Sequence, residues 1–71
     1  MNENQSEDPL WPVLVETVHS LILYRNHKAY VRDVILHEKP DLSPQDLAFS
    51  LGVSLGEAMV ILSELRGEEA E

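Results

Sequence analysis

The chain has 71 residues, 44% of them hydrophobic and 25% charged, and its thirteen acidic side chains against five basic ones give a formal net charge of -8. That length holds one small domain and leaves too little core for a large enzyme pocket as well, while the composition is that of a folded globule rather than a disordered tail or a membrane span. The lack of cysteine excludes disulfides, thiolate metal sites and cysteine nucleophiles, and the acidic balance repels polyanions at long range.

Residues 1–8 read as a disordered acidic lead-in, polar after Met1 and carrying Glu3, Glu7 and Asp8. Pro9 and Pro12 mark a helix start, because proline is tolerated in a first turn where its missing N–H would have no partner. Trp11, Leu14, Val18, Leu21 and Ile22 then recur at three-four spacing, which predicts helix 1 from between Pro9 and Pro12 to about Tyr24 or Arg25. Glu16 and His19 interrupt this apolar stretch, which is too short to cross a bilayer and has no basic segment before it as a signal peptide would. The expectation is a soluble, cytoplasmic protein that does not engage a membrane.

A second stripe, Val31, Val34 and Ile35 with Tyr30 beside it, is rotated by about 100° from the first. One straight helix cannot bury both, and the break is placed at Asn26-His27, since asparagine tolerates the left-handed conformation of a helix end. Helix 2 is predicted from about Lys28 to His37 and ends at Lys39-Pro40. Trp11 and Tyr30 are expected to anchor the core, with an interface hot spot as the rival role.

Ser43-Pro44-Gln45-Asp46 supplies an N-cap hydroxyl, a proline at the first helical position and a carboxylate at the positive end of the helix dipole, so helix 3 starts there. It carries Leu47, Ala48 and Leu51 on one face, with Phe49 off that face, and Gly52 suits its C-terminal cap. Ser54 and Glu57 form a capping box for helix 4, which buries Ala58, Ile61, Leu62 and Leu65 and fades at Arg66-Gly67. Residues 67–71 remain as an acidic tail.

The run Leu47-Ala48-Phe49-Ser50-Leu51-Gly52-Val53-Ser54, followed by Ala58, Ile61, Leu62 and Leu65, resembles the helix-turn-helix of small DNA-binding domains over residues 43–66. Ala48 suits close helix approach, Gly52 turns the corner, Val53 plugs it, and Ala58 and Ile61 pack the second helix on the first. With helix 2 in front, the order is similar to the helical part of winged-helix domains, without the two-stranded wing. The fold class that follows is all-α: a four-helix domain over 9–66, with a wingless helix-turn-helix core and an added N-terminal helix.

Function is constrained by what that resemblance places on helix 4. The positions facing a major groove would be Ser54, Leu55, Gly56, Met59, Val60 and Ser63, and none is the Arg, Lys, Asn or Gln that reads base edges. Glu57 and Glu64 would lie near phosphates. Leu55, Met59 and Val60 instead form an apolar strip away from the core face, either covered by helix 1 or available to a protein partner or a second copy. Arg25, Lys28, Arg32 and Lys39 make one segment locally basic, either as solvated side chains or as a patch for an acidic partner or a phosphate backbone.

Other chemistries find little support. His19, His27 and His37 lack the three-or-four-residue spacing of helical metal ligands, Ser20 and Ser43 lack a nucleophile elbow, and Gly52, Gly56 and Gly67 cannot build a phosphate loop. No metal, cofactor, small-molecule substrate or enzymatic activity is expected. The function read from the residues is a small non-catalytic protein-interaction module, regulatory or accessory, that uses Leu55, Met59 and Val60. The alternative is a DNA-binding, transcription-associated protein touching phosphates through 25–39, disfavoured by the net charge and by the composition of helix 4.

Overall fold

The computed structural model describes residues 8–70, with side chains through Gly67. The lead-in over 1–7 lies outside the described residues. Four helical segments follow, with no strand among the described residues: α1 (Trp11–His19), α2 (24–38), α3 (Pro44–Leu51) and α4 (Leu55–Ala70). The protein is all-α.

At the start of α1, Asp8 replaces a capping side chain on Leu10: its Oδ1 accepts the Leu10 N–H at 2.9 Å and its carbonyl the Trp11 N–H at 2.9 Å. The helix is shorter than the apolar period suggests, stopping at His19, and the break to α2 falls over 20–23 instead of at Asn26-His27. Asn26 and His27 sit inside α2, and no non-glycine residue among the described ones has positive φ. Leu21 and Ile22, which continue the stripe in sequence, are exposed. The physical reason lies in Tyr24: its burial in the core starts a new helix with a different face inward.

Within α2, turns of α-helix at Tyr24–Tyr30 and Leu36–Glu38 flank a π-helical stretch, Val31–Ile35. The Leu36 N–H bonds the Val31 carbonyl five residues back. In an unbroken α-helix Leu36 would stand about 140° around the axis from Val31; the wider turn lets both be buried, with Tyr24 about two α-helical turns before Val31 on the same face. Tyr30 is half exposed and does not anchor the core, whereas Trp11 packs against it.

The C-terminal half follows its local signals closely. Ser43 Oγ accepts the Asp46 N–H at 3.1 Å, Pro44 opens α3, and Gly52 caps it in the left-handed region at φ 76° with its N–H on the Ala48 carbonyl at 3.0 Å. Ser54 Oγ accepts the Glu57 N–H at 3.0 Å to start α4. The chain direction turns by 118° between α3 and α4. Helix α4 does not fade at Arg66-Gly67 but continues to Ala70, so the acidic tail begins as helix. Arg66 instead reaches back, donating to the Leu42 and Pro40 carbonyls at 2.7 and 3.1 Å and fixing the α2–α3 connection.

Helix α4 is the hub. Ala58, Val60, Ile61, Leu62 and Leu65 are all buried, joined by Val18, Tyr24, Val31, Leu36, Leu42 and Leu47 from every other segment. Apolar residues running most of the way round a helix require cover on several sides. Helix α1 supplies one side through Trp11, Leu14, Val15 and Val18. It comes close because of Gly56, where a Cβ would meet Leu14 Cδ1 at 3.0 Å.

Candidate functional site

The strip expected on the outside of α4 is divided by this packing. Val60 is 0% exposed and belongs to the core, Met59 is half-buried, and Leu55 alone is classed as exposed. Val60 is therefore corrected from a surface contact to a core residue. Sequence periodicity assigns one core face to α4, but α1 adds a second, lying over Gly56 on the side that would face outward in a helix-turn-helix.

Two carboxylates seven residues apart on α4, Glu57 and Glu64, share one stripe of the helix. Glu57 is only 4% exposed, and its Oε2 pairs with His27 Nδ1 at 2.6 Å instead of closing the capping box on the Ser54 N–H. Glu64 collects three partners: Tyr24 Oη donates to its Oε1, Lys28 Nζ to the same oxygen at 3.2 Å, and His19 Nε2 pairs with its Oε2 at 2.7 Å. The His19 and Tyr24 rings lie 5.1 Å apart, tilted by 48°. Partial burial acts to raise the Glu64 pKa, but the bonds from Tyr24, His19 and Lys28 outweigh it and hold the carboxyl below its ordinary value.

This network redistributes the basic segment. Lys28 is half-buried against Glu64 rather than presented to solvent. Arg32 donates to its neighbour Asp33 at 2.8 and 3.2 Å, and that bond holds the Asp33 carboxyl below its ordinary value. Arg25 and Lys39 are exposed. Of the four cations, only Arg25 and Lys28 come together, on an open groove of about 1150 Å³ between the 20–23 turn and the C-terminal half of α4. Leu21 and Ile22 line it with them, opposite Glu64.

The histidines are tied to carboxylates rather than to one another: His19 to Glu64, His27 to Glu57, with His37 exposed at the far end of α2. Among the described residues no three His, Asp or Glu side chains converge as metal ligands. No single helix among them is long and apolar enough to cross a membrane. The two His–Glu pairs are what sequence reasoning missed, and the available signal was the seven-residue spacing of Glu57 and Glu64 on a helix otherwise apolar nearly all round.

Comparison with known proteins finds no matching family model, no similar curated protein and no similar solved structure.

Proposed function

We propose that this chain is a small non-catalytic protein-interaction module, regulatory or accessory to a larger assembly, built on a wingless helix-turn-helix over 43–66. The three-residue link with its left-handed Gly52, the Ser54 cap and the 118° change of direction fit that motif. The observation that carries the function is α1 seated along α4 over Gly56, with Val60 buried. A helix-turn-helix that reads DNA needs that face open and furnished with donors; here α1 lies over Gly56, Val60 is buried, and the exposed Ser54, Leu55 and Ser63 include none of the Arg, Lys, Asn or Gln side chains that read base edges. Lys28 and Arg32 are also already engaged with carboxylates, which lowers the gain from phosphate contacts on a chain of net charge -8.

The test is a titration of isotope-labelled protein with a mixed-sequence DNA duplex at low salt, followed by amide shifts. The expected result is no shift at Ser54–Ser63 or Arg25–Lys39. Salt-sensitive shifts at either segment would replace this reading with the DNA-binding alternative.

A further inference from the structure

The turn between α1 and α2 puts its apolar side chains where they contribute little to the fold. Ile22 is 95% exposed, Leu23 53% and Leu21 42%. The turn is nevertheless well tied: Ser20 Oγ donates to the Thr17 carbonyl at 2.6 Å, the Leu21 N–H to Val18 O at 3.0 Å, and the Tyr24 N–H to Leu21 O at 3.1 Å. The apolar surface is therefore held in place by hydrogen bonds and by the buried Tyr24 behind it.

Charge tells what fits against it. The chain has thirteen acidic against five basic side chains, yet among the described residues the groove beside Leu21 and Ile22 is lined by one carboxylate, Glu64, which His19 and Lys28 already balance, and by Arg25. Both oxygens of Glu64 are already taken by His19, Tyr24 and Lys28. Arg25 is exposed and has no hydrogen bond or ion pair among the described residues. A ligand entering here meets branched apolar surface next to a guanidinium that no described residue engages, and among the described lining residues the one carboxylate is already bonded.

Resting on the interaction-module reading, we propose that this groove docks an acidic amphipathic peptide segment of another protein, with an apolar side chain against Leu21 and Ile22 and a carboxylate on Arg25. The chain's own acidity then acts as a filter, repelling densely charged polyanions while a short peptide gains from burial and one or two local ion pairs. Phe49, 91% exposed on α3, lies outside this groove.

The experiment uses the full labelled chain and three probes: a synthetic peptide of about twelve residues with leucines on one face and glutamates on the other, the same peptide with lysines for glutamates, and the DNA duplex. The glutamate peptide is expected to shift amides at 21–28 and 63–67. Ile22→Asp and Arg25→Glu should each weaken it about tenfold or more, with helical circular dichroism and melting unchanged because both side chains are exposed. No shift with the glutamate peptide, or equal binding of the lysine peptide, would overturn the proposal. Peptide shifts confined to the Phe49 or Leu55 surface would overturn the groove but leave the interaction-module reading standing, whereas duplex shifts would overturn both. A dimer in sedimentation that Ile22→Asp dissolves would make the occupant a second copy and also overturn it.

Discussion

Two turns redirect this chain, and they are built from opposite materials. Residues 52–54 join α3 to α4 with a left-handed glycine, a valine packed on the core and a serine whose hydroxyl caps the next helix. Residues 20–23 join α1 to α2 with one serine and three large aliphatic side chains, no side-chain cap on Leu23, and Ile22 almost wholly in water. In the first turn each residue answers a local structural need. In the second, the apolar residues exceed what the fold requires, and surface that stability does not explain is where binding is to be sought.

Substitutions can break this contrast, beginning with the largest effect. Gly52→Val forces a β-branched residue into the left-handed region and should cost about 2 kcal/mol, a loss of roughly 10 °C in melting temperature for a domain of this size. Ser54→Ala removes the α4 cap and should cost about 1 kcal/mol in denaturant unfolding. Should either leave stability untouched, the 52–54 turn is not the structural hinge its geometry indicates.

The groove behind the other turn titrates. Because Glu64 is held below its ordinary value of 4.5, its contribution is fully present above that value and is lost as pH falls through the lower, folded-state one. Acid unfolding of Glu64→Gln should accordingly show a smaller drop across that window than the parent chain, and superimposable curves would count against the Tyr24, His19 and Lys28 bonds. Smallest of all, Ile22→Ser should change stability by no more than about 0.5 kcal/mol. A loss comparable to a core truncation would erase the distinction between the turns.

What could be read in advance follows the same division. Ser43-Pro44, Gly52 and Ser54 act on backbone within a few residues of themselves, so the turn and caps of the α3–α4 unit were legible residue by residue. The end of α1 was not, because Leu21 and Ile22 keep the three-four period that Trp11, Leu14 and Val18 begin, and only the burial of Tyr24 beneath them decides that the helix has stopped. Val60 misled for a related reason: one apolar face is visible in the pattern of α4, but a second depends on α1 folding back over Gly56. Gly67 reads as a terminator, yet lies within continuing helix. Arg25 and Lys28 were identifiable as cations, while the step that pairs Lys28 with Glu64 and leaves Arg25 open needs two helices to meet.

The π-helical stretch at Val31–Ile35 also records something about length. A turn with one residue too many is equivalent to an α-helix that has absorbed a single-residue insertion without breaking. Its Leu36-to-Val31 bond spans the surplus, so removing one residue from this stretch should restore regular winding and leave Leu36 four residues after Val31, about 40° from it around the axis. Leu36 would stay on the buried face, whereas regular winding with the surplus residue kept would turn it, and the connection that Arg66 holds, about 140° from Val31. The wide turn, more than the identity of any one side chain in it, is therefore what keeps the two halves of the molecule in phase.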